Sequence, residues 1–149
     1  MPGTGERHDP FRGFKFRVQI GGIQRAGFRE VSGLDAANDS VDYRVGDDKT
    51  STISKLPGLK KFSNITLKRG ITDDLDLWKW RKQVMDGKIK DARKNGSIIL
   101  MDDEGNDAAQ WDFVAAWPTK WTGPTFNATA NEVAIDTLEL THEGLDRTK

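Results

Sequence analysis

The strongest constraint on the fold is an alternation of apolar and polar residues that recurs along short segments of the chain. In FKFRVQI, residues 14–20, every second residue is apolar, from Phe14 to Ile20. A period of two places alternate side chains on opposite faces of a strand, so this segment predicts a half-buried strand. The same alternation recurs within 41–45, 64–68 and 111–117. The pattern therefore predicts a mainly β fold.

One segment shows helical spacing instead. Its apolar positions form one row at Leu77, Trp80 and Val84 and an adjacent row at Trp78 and Met85. This spacing predicts a helix over about 73–86 that packs on the sheet, with both of its tryptophans in the core. Thr72 or Asp73 can cap its beginning, and Gly87 is a natural stop.

Two segments are expected to depart from this regularity. The stretch GDDKTSTISKLPG, residues 46–58, has little periodicity and predicts a long loop or an extended hairpin tip. The last strand begins with Val133 and Ile135 facing inward but continues with Leu138 and Leu140. Because a strand has a period of two, this change of phase predicts a β-bulge near residues 136–137.

Composition limits the class of protein. The chain has 149 residues, no cysteine, and 23 basic and 23 acidic side chains. We expect a polar arm over 1–13 and a single domain over 14–149. The absence of cysteine excludes disulfides and thiolate sites, and the balanced charge argues against a strong overall attraction to nucleic acid or membranes. No apolar run approaches the ~20 residues of a membrane span or resembles a secretory signal, so no membrane insertion is predicted.

Candidate catalytic and metal-binding residues are few. His8 and His142 lack metal-ligand spacing, and each is expected to be a solvated or core histidine. The acidic cluster over 102–107 lacks the residue order of a calcium loop and predicts a hairpin turn instead. Phosphate-loop, dinucleotide-binding and hydrolase motifs are absent from the sequence. These observations predict no enzyme, no cofactor and no metal site.

Three stretches carry a resemblance to a known family. They are DPFRGFKFRVQIGG with GFREVSGL, then KLPGLKKFSNITLKRGITDDLDLWKW, then WDFVAAWPTKWTGPTFNATANEVAIDTLELTHEGL. In residues, order and spacing, from Asp9 to Leu145, they resemble the inner tube proteins of contractile phage tails and phage-like injection systems. The resemblance implies a small antiparallel β-barrel or sandwich with one flanking α-helix, a fold shared with the type VI secretion tube protein.

The resemblance also implies a function and partners. Six subunits form a ring, the rings stack into a hollow tube, and contraction of a surrounding sheath drives the tube through a target envelope. The implied partners are further copies of the chain, the sheath protein, the baseplate hub or spike, the tape-measure protein, and DNA or protein cargo. The subunit would be made in the bacterial cytoplasm, assembled into a phage tail or phage-like particle, and ejected on contraction.

Assembly residues follow as expectations from the same resemblance, because a ring built from sheets must join or cover its edge strands. The loop residues expected to reach an adjacent subunit or ring are Leu56, Pro57, Gly58 and Leu59. The residues expected at the lumen or at a subunit interface are Lys15, Arg17, Asp42, Arg44, Thr66 and Lys68. The helix is expected to turn its polar side outward, toward the sheath.

Alternative functions remain open at this stage. The first is a tube-initiating or tube-terminating protein of the same machine, which would use the same fold. The second is a monomeric small-barrel binding module with a concave pocket. An enzyme comes third, because a catalytic group is not found. The sequence leaves open whether the particle is a phage or a bacterial injection system, and whether its cargo is DNA or protein.

Overall fold

The computed structural model describes residues 15–23, 27–44, 46, 53–129 and 133–149. The predicted N-terminal arm, His8 and the first residue of the strand predicted from Phe14 lie outside these ranges. The described strands are β1 (Phe16–Ile20), β2 (Glu30–Ser32), β3 (Ala36–Tyr43), β4 (Ser54–Phe62), β5 (Ile65–Gly70), β6 (Lys94–Met101), β7 (Asp107–Thr122), β8 (Ile135–Thr141) and β9 (Gly144–Arg147). The described helices are α1 (Asp76–Met85) and α2 (Ile89–Ala92). Neither is long and apolar enough to cross a membrane.

Seven strands form one antiparallel sheet in the order β1-β6-β7-β8-β5-β2, with β9 also paired to β7. The long central strand β7 joins the two halves, since its first part pairs with β6 and β9 and its last part with β8. Strands β1 and β2 are the ends of this order. The expected mainly β, antiparallel fold is confirmed.

The central strand bends at a β-bulge between its two halves. Lys94 of β6 pairs with Ala116, but Gly96 pairs with Phe113, so β7 holds one extra residue here. Ala115 takes a φ of 52°, and its N–H donates a hydrogen bond to Asn95 Oδ1 at 3.0 Å. A bulge of this kind increases the local twist, so the two halves of the sheet can wrap around one core.

A single hydrophobic core lies inside the curled sheet. Its buried residues come from both halves and both helices, and include Val18, Ile65, Leu67, Trp80, Ala92, Ile98, Phe113, Leu138 and Leu140. Helix α1 packs on β7 through Leu77 and Trp80, which are 3% and 2% exposed. Val84 is partly buried against the same core. The Trp80 indole N–H donates to the carbonyl of Ala92, and this bond ties α1 to α2.

Helix α1 begins later than the sequence predicts. Its first residue is Asp76 rather than Asp73, and the residue before it, Leu75, makes no side-chain capping bond. The Asp74 N–H donates to Thr72 Oγ1 and the Asp76 N–H to Asp74 Oδ1, so these side chains form local turns instead of capping a helix at 73. Gly87 ends the helix with a φ of 81°, a conformation that glycine adopts without strain. The short helix α2 was not predicted.

The predicted bulge in the last strand is wrong. Strand β8 pairs with β5 in unbroken register from Ile135 to Leu140. Asp136 occupies the position on the buried side, in line with Leu138 and Leu140, while Ile135 lies on the other face. Val133 precedes the strand and is 70% exposed, so it does not point inward either.

The prediction of a long loop or an extended hairpin tip over 46–58 is wrong from Ser54 onward, and residues 47–52 lie outside the described ranges. Strand β4 begins there and pairs with β3 to form a separate two-stranded sheet. The sequence pattern does not predict this strand, because it contains Pro57 and Gly58 and both residue types are depleted in strands. Proline is tolerated on an edge strand, and each strand of a two-stranded sheet has a free edge. Beside Gly58, the register shifts at a bulge opposite Asp39.

Candidate assembly surfaces

The β3–β4 hairpin carries an exposed apolar face. Val41 lies directly opposite Leu56, and both side chains are about half exposed, at 48% and 49%. Tyr43, two residues farther along the same face, is 49% exposed. Leu59 lies at the bulge and is 75% exposed, while Ile53 just before β4 is 44% exposed. The sequence analysis singled out Leu56 and Leu59 but missed the apolar residues of the partner strand.

The bulge in this hairpin depends on Gly58. A Cβ atom placed there would lie 3.0 Å from the Asp39 carbonyl oxygen and 3.0 Å from Val41 Cγ2. The Gly58 carbonyl accepts a hydrogen bond from the Asn38 side chain at 3.3 Å. The missing side chain therefore lets the two strands approach closely where the register shifts.

Two ion pairs lie on the surface of the hairpin but stabilise it little. Lys55 lies 2.9 Å from Asp42 on the face opposite Leu56, and Lys61 lies 2.8 Å from Asp39. All four side chains are largely exposed, and exposed pairs contribute only about 0–1 kcal/mol each. A two-stranded hairpin is marginally stable alone in water. Burial of its apolar face against a partner would stabilise the hairpin further.

His142 anchors the root of the hairpin. Its Nε2 lies 2.9 Å from the Ser63 carbonyl oxygen and its Nδ1 lies 3.2 Å from that of Gly144. The ring also packs against Phe62, with centroids 5.6 Å apart. Next to it, Asn64 donates to Glu139 Oε1 at 2.9 Å. These contacts give His142 a structural role where the hairpin leaves the main sheet.

The predicted lumen or interface residues lie on three separate surfaces. Lys15 and Arg17 face the β6–β7 turn, where Lys15 Nζ donates to the Asp103 carbonyl and Arg17 pairs with Asp107 at 3.1 Å. Asp42 lies in the hairpin, and Arg44 directly follows β3. Thr66 and Lys68 lie on the polar face of β5, where Lys68 pairs with Glu30 of β2 at 3.2 Å. The structure therefore does not gather the six residues into one surface.

The β6–β7 turn holds the acidic cluster of the sequence. The Asp102 carboxylate accepts hydrogen bonds from the backbone N–H groups of Glu104 and Asn106, both at 2.9 Å. Gly105 takes a φ of 84° and its N–H donates to the Asp102 carbonyl. The carboxylate of Asp102 thus closes the turn, as the hairpin interpretation predicts.

The exposed face of α1 is only partly polar, whereas the sequence predicts a polar one. Leu75, Trp78 and Met85 are 55%, 38% and 53% exposed, and Lys79 and Lys82 lie among them. Trp78 packs on Trp121 in an edge-to-face pair with centroids 4.8 Å apart, instead of entering the core. The prediction failed because an apolar stripe covering two rows of α1 is wider than the part of the helix that the sheet buries.

A buried charge lies between the sheet and the beginning of α1. Arg69 of β5 is only 5% exposed, and its Nη2 donates to the Asp74 carbonyl at 3.1 Å. Asp136 lies opposite it on β8. Burial raises the pKa of the Asp136 carboxyl above its ordinary value, against the opposing attraction of Arg69. Arg69 Nε and Asp136 Oδ1 have no hydrogen-bond partner among the described residues.

A second carboxylate lies in a different environment, on the polar face of β7. Asp112 accepts hydrogen bonds from Ser97 Oγ at 2.6 Å and Gln110 Nε2 at 2.7 Å. These bonds, that of Ser97 foremost, lower the pKa of Asp112 below its ordinary value. The group is a well-satisfied surface carboxylate that links β6 to β7.

The fold and its surfaces can now be compared with known proteins. The family model of the T4-like virus tail tube protein gp19 matches residues 12–146. The chain belongs to this tail tube family. A comparison with curated protein sequences gives no significant match.

Solved structures agree with this tail tube assignment. A chain of an extracellular contractile injection system, the PVC sheath–tube complex in its extended state, is 29% identical over 93% of this chain and 91% of that chain, with a TM-score of 0.82. A chain from the tube-terminating cap of the anti-feeding prophage is 26% identical over 96% and 93%, with a TM-score of 0.78. A type six secretion system protein, 8% identical over 89% and 83%, shares the fold at a TM-score of 0.53.

These comparisons confirm the expected resemblance. The chain is a tail tube protein related to the tube components of contractile injection systems. Its role is that of a structural tube subunit, so the surfaces that matter are those through which copies of the chain meet one another and their partners.

Proposed function

We propose that the chain is the repeating subunit of the hollow inner tube of a contractile particle. Hexameric rings of the subunit stack into a tube, and contraction of a surrounding sheath drives this tube through a target envelope. The similarity to a chain of the PVC sheath–tube complex supports this role. The function is mechanical and conductive, and we propose no enzymatic activity, because the tail tube family is structural.

The hairpin is the single observation that best supports assembly. A tube subunit must contact copies of itself, and β3–β4 presents Val41, Tyr43, Leu56 and Leu59 to solvent in the isolated chain. Exposed apolar residues that follow one another along an element mark interaction sites more often than solvated surfaces. We propose that Leu56, Pro57, Gly58 and Leu59 contact an adjacent subunit or ring, which covers the apolar face.

The two strands that end the order of the described sheet supply a second type of contact. Strands β1 and β2 end the sheet order, and an uncovered edge strand invites pairing with another chain. Head-to-tail contacts of this kind close into a ring when the rotation between neighbours allows it. We propose that neighbours in a ring meet at these edges. Residues of the polar strand faces, including Thr66 and Lys68, would then be candidates for the lumen.

The remaining proposed partners are the other components of a contractile particle. We propose that the tube contacts the contractile sheath, begins on the baseplate hub or spike, takes its length from a tape-measure protein, and carries DNA or protein cargo. The subunit would be made in the bacterial cytoplasm and leave the cell, or the particle, on contraction.

The test is a double substitution in the hairpin, Leu56→Asp with Leu59→Asp. Both side chains are exposed in the subunit, so the variant should fold normally but no longer form tubes, because two carboxylates would have to be buried in the contact. Electron microscopy across a concentration series measures assembly, and circular dichroism measures folding.

A matched control places the same change on another exposed apolar pair, Leu75→Asp just before α1 with Met85→Asp at its end. This control should fold and form tubes. Normal tubes from the hairpin variant would exclude the hairpin as an assembly contact. Loss of tubes in both variants would indicate a general effect of added negative charge.

A terminating role is the second candidate, and the similarity to a chain from the tube-terminating cap of the anti-feeding prophage favours it. A repeating subunit should form tubes that lengthen with protein concentration. A terminator should give single rings at every concentration. The electron micrographs of the wild-type protein therefore separate the two.

A further inference from the structure

We propose that His142 is a pH-sensitive latch, which fixes the β3–β4 hairpin to the main sheet when its ring is protonated and loosens the hairpin when the ring is neutral. The latch consists of the half-buried His142 ring and the two backbone carbonyls that it faces, those of Ser63 and Gly144. This role goes beyond that of a tube subunit, because the latch acts within one chain and requires no partner.

Both ring nitrogens of His142 face oxygen atoms that can only accept a hydrogen bond. Nε2 lies 2.9 Å from the Ser63 carbonyl oxygen, and Nδ1 lies 3.2 Å from that of Gly144. A neutral imidazole carries one N–H, so its other nitrogen would direct a lone pair at a carbonyl oxygen. The imidazolium carries two N–H groups and donates to both oxygens at once. The geometry therefore fits the protonated ring better than either neutral tautomer.

The two carbonyls belong to different parts of the molecule. Ser63 directly follows β4, and Phe62 at the end of that strand packs on the His142 ring. Gly144 begins β9 and pairs with Val114 of the central strand β7. The ring thus bridges the end of the hairpin and the body of the subunit. Loss of one of its two hydrogen bonds loosens this bridge.

Two neighbouring hydrogen bonds at this root are long. The Thr141 hydroxyl donates to Asn64 Oδ1 at 3.4 Å, and the Ser63 N–H donates to the Asp35 carbonyl at 3.4 Å. The bond from Asn64 to Glu139 Oε1, at 2.9 Å, is the shorter one. The two bonds of the latch are therefore a large part of what fixes the root of the hairpin.

Histidine chemistry sets the pH range in which the latch acts. Histidine ordinarily gains or loses a proton between about pH 5 and 8, whereas carboxyl groups ordinarily titrate near pH 4. The charged residues on the segments that pack against the ring are Asp35, Lys60, Lys61, Glu139, Glu143 and Asp146. Four of the six are acidic, so the surrounding charge does not oppose an imidazolium. Among the described residues, none forms an ion pair with His142, so the two carbonyls are its partners.

The experiment measures amide hydrogen exchange of the unassembled subunit between about pH 5.5 and pH 8. Rates are expressed as protection factors, which remove the intrinsic pH dependence of exchange. In the wild type, protection of β3 and β4 should fall at least about threefold as pH rises, because the neutral ring loses a charge-assisted bond at the root. His142→Gln keeps an amide donor but does not titrate, so its hairpin protection should not change with pH.

His8→Gln is the matched control and should behave as the wild type does. The titration of Asp136, at the other end of β8, is common to all three proteins and cancels in the comparison. The control also leaves His142 as the one histidine of the chain, so NMR of the imidazole follows its titration alone. The midpoint of that titration should coincide with the midpoint of the fall in hairpin protection. This second measurement does not depend on how well His142→Gln folds.

Three results would overturn the latch. The first is hairpin protection in the wild type that stays constant or rises with pH. The second is the same fall in His142→Gln as in the wild type. The third is a clear difference between the two midpoints in His8→Gln. Failure of the proposed function is distinct, because exchange is measured on the unassembled subunit and does not require that tubes form.

Discussion

At the scale of single residues, the two tryptophans of α1 differ in burial, and Trp80 is the buried one. Its side chain is 2% exposed, and its indole N–H donates to the Ala92 carbonyl. Trp80→Ala should lower the free energy of unfolding by ~3–5 kcal/mol, because it leaves a cavity and an unpaired carbonyl. Chemical denaturation of the unassembled subunit measures this loss.

The control for this change is Trp78→Ala, two residues away on the same helix. Trp78 is 38% exposed and touches Trp121, so its loss should cost clearly less than that of Trp80. Equal losses from the two variants would mean that Trp78 is as deeply packed as Trp80, contrary to the structure.

Asp136 makes a prediction about pH. Burial raises the pKa of its carboxyl above the ordinary 3.8. At a pH between the unfolded and the folded pKa, the folded protein therefore keeps a proton that the unfolded chain has released. Stability from this group is complete below the unfolded pKa and falls as pH rises through the folded value, in a window that opens near pH ~4. Asp136→Asn cannot titrate and should lack this decrease.

The measurement is urea denaturation of both proteins between acidic and neutral pH. As pH rises, the stability difference should shift in favour of Asp136→Asn, even if the variant is less stable at every pH because Arg69 has lost its countercharge. A shift in favour of the wild type would show that attraction to Arg69 outweighs burial and lowers the pKa.

At the scale of elements, the bend of β7 depends on Ala115. Strand propensity alone favours valine at this position. The φ of 52° reverses that preference, because a β-branched residue in the left-handed region is strained. Ala115→Val should therefore destabilise the protein by ~1–2 kcal/mol, whereas Ala115→Gly should be neutral or mildly stabilising.

Ala37→Val in β3 is the matched control, since Ala37 is an exposed strand residue with ordinary backbone geometry. It should change stability by less than ~0.5 kcal/mol. Unfolding measured on all three variants decides the matter. If Ala115→Val were as stable as the wild type, the bulge would not require a left-handed residue at 115.

The elements that the sequence predicts best are those in which the local apolar pattern alone decides which residues are buried. Strand β1 shows the predicted alternation, with Val18 and Ile20 buried and Arg17 exposed. Strand β5 also lies where its pattern indicates, as Ile65 and Leu67 are buried. Helix α1 buries Leu77 and Trp80 but begins at Asp76, because the polar side chains before it bond to the nearby backbone.

The elements that the sequence predicts poorly depend on contacts between distant residues. Asp136 occupies a position on the buried side because Arg69 lies across from it on β5, and no local pattern contains that pairing. Strand β4 of the hairpin is not predicted, because Pro57 and Gly58 interrupt the alternation of apolar and polar residues. The exposed apolar faces of the hairpin and of α1 look like core positions in a single chain, since their periodicity is the same.

At the scale of the whole molecule, the described chain divides into a body with a core and a hairpin without one. Most of the buried apolar residues form one cluster inside the seven-stranded sheet, whereas all residues of β3 and β4 are exposed or only partly buried. Local stability follows burial, so the two parts should open with very different free energies. In a tube, contacts with other copies would supply the burial that the hairpin lacks.

This difference is measurable by hydrogen exchange with mass spectrometry. In the unassembled subunit, amides of β3 and β4 should exchange at least about tenfold faster than those of β5 and β7, because a hairpin alone is marginally stable. In assembled tubes the hairpin amides should become protected, while the already protected core strands change little. Leu56→Asp with Leu59→Asp should keep the rapid exchange at every concentration. A hairpin equally protected in subunit and tube would mean that it is stable without a partner, and its exposed apolar face would then need another explanation.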